Sequence, residues 1–574
     1  MPFGKIASIM VFGGCLLLRP AASQAGDSHP APTISSLLST YALETQTADD
    51  RASRNRAMVR RFYAGNGDRP AWADKRFVAA ELLHQLADAE RYGLRADGYL
   101  VPPPPAGEAA QSPDWPAGFD LALTAAALRF LSDLHFGRSA PDFKWYGGSR
   151  EPDDFDPVEH LRQALAQGTF APAITAAEPR LALYARVKQT LANYRELARR
   201  HGQWAPLPPQ PAPPASSKLL LYSGVAALWQ RLALLGDLEE SAAAADAGMS
   251  SAALEAGLKH FQARHGLTPD GILGPATMSA LAIPLADRVR QLELTLERLR
   301  WMPGLPPGQL IVVNVPSYRL WAFDTKSPPG SVEADMRVIV GNAARTPTPL
   351  LIAQLRYLEF NPAWNVPRSI EVEELIPKLA RDPALLYKED FELVPRERAA
   401  SNAAGSPLAL LRSGAMRLRQ RPGPRNPLGP VKFGMPNPQN IYLHGTSAKE
   451  LFARTRRDLS HGCIRLEHPE ELATFVLRNE GQWDRASVLA AMEPGPSRTV
   501  TLRTPIPVVL LYATALTDRQ GRAIFLLDTY GLDKKLARAL VAEAVDTGHG
   551  FPQGAAIGWP HQPTPRAVKA APHS

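Results

Sequence analysis

The chain has 574 residues, which is too long for a single hydrophobic core, so we expect three or four domains. Hydrophobic residues at 45% and charged residues at 21% are typical of a globular protein, and the 55 prolines indicate Pro-rich linkers and loops. The formal net charge of +8 is modest for this length and gives no indication of nucleic-acid binding.

The N-terminus has the form of a secretory leader. Lys5 is followed by an apolar segment from Ile6 to Leu18. Ser23-Gln24-Ala25 then has small residues at the positions that a signal peptidase reads. We predict residues 1–25 to be a signal peptide that is cleaved after Ala25. The apolar segment is shorter than the ~20 residues of a membrane helix, but an uncleaved leader would still anchor the protein to a membrane.

The next region has the composition and spacing of helices. Ala, Leu, Arg and Glu dominate it, and apolar residues recur at helical intervals in residues 77–86 and 121–131. We predict a helical domain over residues 35–203 with no catalytic cluster of its own. A Pro-rich stretch follows at residues 204–217 and favours an extended polyproline conformation, so it is predicted to be a linker.

Residues 218–284 are predicted to form a small three-helix module. Helices are expected at Val225–Leu235 and Ala253–His265. The pairs Asp270-Gly271 and Gly274-Pro275 then mark a tight turn before the third helix.

The periodicity changes from helical to strand-like near Gln309. A helix is predicted at Arg288–Trp301, and a β-rich domain follows over residues 306–513. The predicted strands are Ile311–Trp321, Met336–Gly341, Leu355–Phe360, Ile441–His444, Cys463–Leu466, Arg498–Leu502 and Val508–Tyr512. The fold class is therefore predicted to be multidomain α+β.

An insertion at residues 369–430 interrupts these strands. It contains a helical segment and a basic, Pro-Gly-rich run at Arg417–Arg425, and it is too long for an ordinary loop, so we predict a helical lid. After these strands, residues 514–574 are predicted to contain a strand and a helix and to end in a disordered tail.

The chain has two cysteines, and Cys15 lies in the predicted leader. Cys463 would then have no disulfide partner within the mature chain, and polar Ser460 and His461 lie just upstream of it. A thiolate is a strong nucleophile but needs a neighbouring base near neutral pH. His444 closes a short apolar run, and two adjacent strands would bring it to Cys463.

The residues around this pair resemble the paired motif of the L,D-transpeptidases, the cysteine enzymes that cross-link peptidoglycan stem peptides. The motif consists of Tyr442-Leu443-His444-Gly445-Thr446 and Ser460-His461-Gly462-Cys463-Ile464-Arg465, with the His and Cys 19 residues apart. Asn361–Pro367 is similar to the segment that precedes the capping insertion of the larger members. Phe261-Gln262 and His265-Gly266-Leu267 resemble a peptidoglycan-binding module.

The resemblance implies a helical N-terminal scaffold, a peptidoglycan-binding module, and a β-rich catalytic domain with a helical lid insertion. It implies that Cys463 attacks the third stem residue, that D-alanine leaves, and that a second stem accepts the acyl group to form a 3-3 cross-link. His444 would be the base, the carbonyl of Gly445 would orient it, and His461 would support catalysis. The predicted substrate-binding residues are Tyr442, Ser460, Gly462, Arg465, Trp364 and Asn365.

The resemblance also implies a periplasmic location, peptidoglycan stem peptides and other wall-synthesis enzymes as partners, and no cofactor. The acyl acceptor is left open: it could be a stem amine, a protein, or water in a carboxypeptidase. A zinc site built from Cys463, His461, His444 and His468 is a rival, although the spacing matches no common zinc signature. A non-catalytic wall-binding scaffold is another.

Overall fold

The structure is a computed structural model of the chain. It describes residues 33–43, 50–102, 116–139, 143–146, 154–209, 219, 221–238, 251–328, 331–396 and 405–547. The predicted leader, most of the predicted linker and the end of the predicted tail lie outside these ranges. Among the described residues, no helix is long and apolar enough to cross a membrane.

The N-terminal part of the described chain is helical, as predicted. Its helices are α1 (Ile34–Leu43), α2 (Asp50–Ala64), α3 (Arg76–Ala87), α4 (Ala117–Phe136), α5 (Pro157–Gln167), α6 (Ala171–Ala177) and α7 (Ala182–His201). Their apolar faces enclose a core that includes Trp72 and Phe130. Asp120 is buried in this core and accepts hydrogen bonds from the Tyr63 hydroxyl (2.7 Å) and from the backbone N–H of Trp72 (2.9 Å). These bonds satisfy a carboxylate that burial would otherwise disfavour.

One strand lies between these helices in the sequence, and the prediction of an entirely helical scaffold missed it. Strand β1 (Lys144–Tyr146) pairs in parallel with residues 351–353 of the catalytic sheet. Its Lys144 N–H donates to the carbonyl of Leu350 at 3.2 Å, and Tyr146 packs against the catalytic core. The scaffold therefore contributes a strand to the neighbouring domain.

The described residues of the central module form three helices, in agreement with the prediction. They are α8 (Val225–Leu234), α9 (Ser251–Arg264) and α10 (Pro275–Ala282), which pack around Leu258 and Phe261. The Gln262 side chain holds the turn between α9 and α10, because its amide donates to Asp270 (2.8 Å) and its carbonyl accepts from the Gly271 N–H (2.8 Å). Helix α11 (Leu285–Arg300) follows and packs against α7.

The C-terminal half of the chain is rich in strands. They are β2 (Gln309–Asn314), β3 (Arg319–Asp324), β4 (Ala334–Gly341), β5 (Leu351–Phe360), β6 (Trp364–Asn365), β7 (Phe391–Pro395), β8 (Met416–Gln420), β9 (Val431–Gly434), β10 (Leu443–His444), β11 (Asp458–Ser460), β12 (Ile464–Leu466), β13 (Arg498–Leu511), β14 (Ala515–Thr517) and β15 (Ala523–Phe525). The main sheet has the order β5-β13-β2-β3-β4-β12-β10-β9. Because β9 also pairs with β5, this sheet closes on itself.

Three of the predicted strands were wrong in their bounds. Ile311–Trp321 is a hairpin rather than one strand, because a single 3₁₀ turn at Val315–Ser317 and a left-handed Tyr318 (φ 52°) reverse the chain between β2 and β3. The predicted strands Arg498–Leu502 and Val508–Tyr512 are parts of one strand, β13. An irregularity between Thr501 and Ile506 hides its continuity in the sequence.

The insertion forms a separate cap with its own core, and the prediction of a helical insertion was incomplete. Strands β6, β8 and β7 form a three-stranded sheet. The cap helices are α12 (Arg368–Ile370), α13 (Ile376–Arg381), α14 (Leu385–Lys388) and α15 (Pro407–Ser413), with a π-helical turn at Glu371–Leu375 between α12 and α13. Strand β8 lies in the predicted basic run: its arginines alternate with buried Leu418 and Gln420.

Helices α16 (Pro469–Leu477) and α17 (Arg485–Met492) follow the catalytic strands, and α18 (Leu532–Thr547) ends the described chain. Strands β14 and β15 form a hairpin that joins the domains. Phe525 on this hairpin packs against Tyr194 of α7 and His265 of the central module. Arg264 of the module donates to the carbonyl of Ala523. The module therefore rests on the C-terminal hairpin.

Candidate active site

Strands β10 and β12 bring the predicted nucleophile and base together. They pair in parallel, with Leu443 opposite Ile464 and His444 opposite Arg465. The Ile464 N–H donates to the carbonyl of Tyr442 at 3.1 Å. Leu443 and Ile464 are fully buried in the sheet core. Side chains alternate along a strand, so Tyr442, His444, Cys463 and Arg465 share the opposite face.

The turn before Cys463 is held by Ser460. Its hydroxyl donates to the carbonyl of Cys463 (2.6 Å) and accepts from the N–H of Gly462 (3.1 Å). Gly462 has φ +116°, a conformation that an L side chain rarely adopts, and its carbonyl accepts from the hydroxyl of Thr348 at 2.7 Å. Ser460 is buried and its hydrogen bonds lie within the protein, so its geometry fits turn formation rather than the predicted substrate contact.

The Cys463 thiol is neutral in this arrangement. Its Sγ donates to the carbonyl of Asn440 at 3.6 Å, and Asn440 has a left-handed backbone (φ +53°). Burial raises the pKa of the Cys463 thiol to about 11, although hydrogen bonds from Tyr442 and the charges of Lys432 and Arg465 act in the opposite direction. Attack by Cys463 as a nucleophile would therefore first require deprotonation of its thiol.

His444 is neutral as well. Burial, and then the charge of Arg465, lower the pKa of His444 to about 3, while the carbonyls of Gly445 and Leu428 act to raise it. Among the described residues, Nδ1 has no hydrogen-bond partner of normal geometry. The orienting role of the Gly445 carbonyl therefore stays a prediction, and the carbonyl of Leu428 is a second one that acts on the ring.

Two cations flank His444 on the neighbouring strands. Arg465 lies opposite it on β12, and Lys432 lies opposite it on β9. Lys432 is 3.4 Å from a carboxylate oxygen of Glu359, and its Nζ lies 5.0 Å from the centre of the Tyr442 ring. Lys432 was not predicted as a site residue from the sequence. Its position between the buried residues Val431 and Phe433 is the one local feature that would place its side chain on the opposite face of the strand.

Arg465 has no ion-pair partner among the residues that the structure describes, and its buried Nε has no hydrogen-bond partner there. Burial lowers the pKa of Arg465. An unpaired guanidinium that is partly buried beside the nucleophile is suited to bind an anionic group of a ligand. This geometry supports the prediction that Arg465 binds substrate.

Tyr442 covers the Cys–His pair. Its ring centre is 5.6 Å from that of His444. Burial and then the negative charge of a Cys463 thiolate raise the pKa of the Tyr442 hydroxyl. Tyr442 is thus a neighbour of both His444 and the Cys463 sulfur.

The remaining predicted site residues lie at the junction with the cap. His461 is exposed, and its Nε2 is 2.6 Å from Oε1 of Glu374 in the cap. Trp364 and Asn365 form β6, pair with β8, and contact the cap core, with the rings of Trp364 and Phe391 6.4 Å apart. The contacts of Trp364 and Asn365 are therefore with other residues of the cap and not with Cys463.

A zinc site at the Cys–His pair receives no support from the geometry. Within the described ranges, the potential ligand atoms that converge are those of His468, Glu470 and Glu471, a partly exposed group at the start of α16. Cys463 and His444 take no part in it, and Nε2 of His461 contacts Glu374 instead.

Comparisons with known proteins agree with the domain architecture. Residues 308–508 match the family model described as "L,D-transpeptidase catalytic domain", residues 57–191 match "Scaffold domain", and residues 222–281 match "Putative peptidoglycan binding domain". A Haemophilus influenzae protein named "Putative L,D-transpeptidase" is 32% identical over 248 residues, which are 43% of this chain and 49% of that protein. The chain thus spans about half the length of this curated relative.

Proposed function

We propose that this chain, which belongs through its catalytic domain to the L,D-transpeptidase family, cross-links peptidoglycan stem peptides through an acyl-enzyme on Cys463. The observation that supports this most strongly is the parallel pairing of β10 and β12, which places Cys463 and His444 on one face of the sheet. A matched peptidoglycan-binding domain in the same chain supports the substrate class. We also propose that the protein is exported to the periplasm, where this substrate lies.

In the first half-reaction, His444 accepts the thiol proton and the Cys463 sulfur attacks an amide carbonyl. The C–N bond then breaks, and His444 returns the proton to the leaving amine. The nearby charges of Lys432 and Arg465 stabilise the thiolate as it forms. The thiol must first leave the Asn440 carbonyl, because a thiolate has no proton to donate to it.

The oxyanion of the tetrahedral intermediate needs hydrogen-bond donors in place. The Gly462 N–H is not available for this role, because it already donates to Ser460 Oγ. The Cys463 N–H has no backbone or side-chain acceptor among the described residues. We propose that this Cys463 N–H and the Tyr442 hydroxyl, which lies near the sulfur, are the hydrogen-bond donors to the oxyanion.

The donor is proposed to be a tetrapeptide stem that loses its terminal D-alanine. The acyl group then passes to the side-chain amine of a second stem and forms a 3-3 cross-link. A thioester persists long enough for a bound amine to compete with water, and the cap over the junction at His461 limits access of water. Arg465 is available to bind a stem carboxylate.

The test is incubation of the full chain with disaccharide-tetrapeptide, followed by mass spectrometry of the products. We expect a dimer joined between two third residues, with release of D-alanine, and no dimer from Cys463→Ala. Monomeric tripeptide alone would indicate a carboxypeptidase instead. Dimers formed only from pentapeptide donors would contradict the proposal, because they would indicate a D,D-specific reaction.

A further inference from the structure

The π-helical turn of the cap, Glu371–Leu375, contacts the catalytic domain at His461, which precedes Cys463 by two residues in the sequence. Such turns recur at functional sites because they change which side chains a helix presents. Oε1 of Glu374 lies 2.6 Å from Nε2 of His461, two residues before Cys463. The adjacent Glu373 is paired instead with Arg345 of the catalytic domain, at 3.5 Å.

A buried carboxylate fixes the position of this turn. Glu371 is fully buried and accepts hydrogen bonds from the Leu418 N–H (2.7 Å) and from Arg396 (2.6 Å). Arg368 adds an ion pair at 3.3 Å. These contacts attach the turn to β8 of the cap sheet. Glu374 is therefore presented to His461 by a folded element rather than by a loop.

The Glu374–His461 contact determines the tautomer of the neutral imidazole. A carboxylate only accepts hydrogen bonds, so Nε2 of His461 bears the hydrogen, and in the neutral ring Nδ1 has the lone pair. Nδ1 has no hydrogen-bond partner in the part of the chain that the structure describes. The side chains of His461 and Glu374 are 44% and 31% exposed, so an external group can reach them.

The charges near Cys463 differ between its two sides. Beside His444, the side of Arg465, two residues after Cys463, is cationic, because Arg465 has no ion-pair partner among the described residues, while Lys432 is paired with Glu359. On the side of His461, two residues before Cys463, Glu374 contributes a carboxylate, while the neighbouring Glu373 is paired with Arg345. An anionic donor therefore fits the first side, and a cationic acceptor fits the second.

We propose that Glu374 and His461 form the acceptor subsite, which binds a primary ammonium group and removes its proton. This inference rests on the proposed function. The ammonium transfers a proton to Nδ1 of His461, and the Glu374 carboxylate stabilises the imidazolium. The amine lone pair then attacks the thioester carbonyl and the C–S bond breaks. The second amine proton passes through His444 to the sulfur, which leaves an amide and a thiol, while His461 releases its proton to solvent.

The experiment separates the two half-reactions in the full chain. The acyl-enzyme is formed with disaccharide-tetrapeptide and followed by intact-protein mass spectrometry. It is then treated with either a diaminopimelate-containing tripeptide or hydroxylamine. The tripeptide amine is protonated at neutral pH and must lose a proton before it can attack, whereas hydroxylamine is largely neutral and can attack without this first step.

For Glu374→Gln we expect acylation and transfer to hydroxylamine within about twofold of the natural protein, and transfer to the tripeptide slower by about 10²-fold, the lower range for a positioned proton acceptor. Glu374→Asp retains the carboxylate and should recover part of the rate. Glu373→Gln is the matched control, since Glu373 pairs with Arg345 rather than His461, and it should change none of the three rates by more than about twofold.

Equal slowing of all three rates by Glu374→Gln would overturn the inference, because it would assign Glu374 to closure of the cap. So would an unchanged rate of transfer to the tripeptide. If the proposed function itself is wrong, the natural protein will form no acyl-enzyme on Cys463 and release no D-alanine. That outcome does not depend on which residue stands at position 374, so the two failures can be told apart.

Discussion

Replacing Arg465 with methionine should slow the alkylation of Cys463 by iodoacetamide. The charge of Arg465 lowers the pKa of the Cys463 thiol, so its removal raises that pKa and leaves less thiolate at a given pH. The two residues are two positions apart on one strand face, with Cα atoms about 7 Å apart. At an effective dielectric constant of about 20, a unit charge at that distance contributes about 2 kcal/mol.

Arg465 is only partly buried, and solvent reduces this value to about 1 kcal/mol, which corresponds to a fivefold to tenfold lower thiolate population. The assay is the rate of alkylation between pH 7 and 9, measured by intact mass. In both proteins the rate should rise with pH over this window, because the pKa of the thiol, about 11 in the natural protein, lies above it.

Arg485→Gln is the control for loss of one positive charge, because Arg485 is exposed at the start of α17. It should leave the alkylation rate unchanged. Arg465 has no ion-pair partner among the described residues, so its replacement should not lower the midpoint of thermal unfolding. An equal or faster alkylation of the folded Arg465→Met protein would refute the electrostatic account of the site.

Three further predictions concern the pair and its support. Cys463→Ser should abolish turnover with an unchanged circular dichroism spectrum, since His444 is too weak a base for a serine hydroxyl; residual turnover near the natural rate would exclude the thiol as nucleophile. His444→Ala should slow acylation by about 10²–10⁴-fold in a single-turnover assay; a greater loss from His461→Ala would reverse the two roles. Glu297→Gln should lower the free energy of unfolding by about 3–5 kcal/mol in a denaturant titration. This buried carboxylate accepts hydrogen bonds from the backbone N–H groups of Arg138 (2.5 Å) and Ser139 (2.9 Å) and forms an ion pair with Arg300 (3.2 Å). A loss under 1 kcal/mol would contradict a stabilising role for Glu297.

The placement of Cys463 and His444 on adjacent strands was predictable because local patterns determine it. Leu443 and Ile464 are the buried residues of two short strands, and alternation then assigns His444 and Cys463 to the other face. The glycine before Cys463 marks a turn with positive φ. Both signals lie within a few residues of the functional groups.

The supporting residues depend on long-range pairing and were missed. Lys432 reaches His444 through the β9–β10 register, and Asn440 reaches the thiol through a left-handed turn. Glu374 lies 87 positions from His461 and is one of several acidic residues in the cap sequence. None of them differs in local sequence from an ordinary surface residue.

The same reason explains the missed scaffold strand. Strand β1 has three residues, too few for a period-2 pattern to be recognised. It occupies the edge of β5 at residues 351–353, whereas β9 pairs with β5 at residues 357–360. Tyr146 on β1 accepts a hydrogen bond from Gln439, which is next to Asn440. The scaffold thus contacts the segment that holds the thiol.

The most direct test of the central claim is the mass of the intact protein after exposure to disaccharide-tetrapeptide. A covalent adduct on Cys463, equal to the donor less D-alanine, is expected in the natural protein and absent in Cys463→Ala. Peptide mapping should place it on the peptide that contains Cys463. Release of D-alanine without an adduct, and with the same rate in Cys463→Ala, would contradict the acyl-enzyme mechanism.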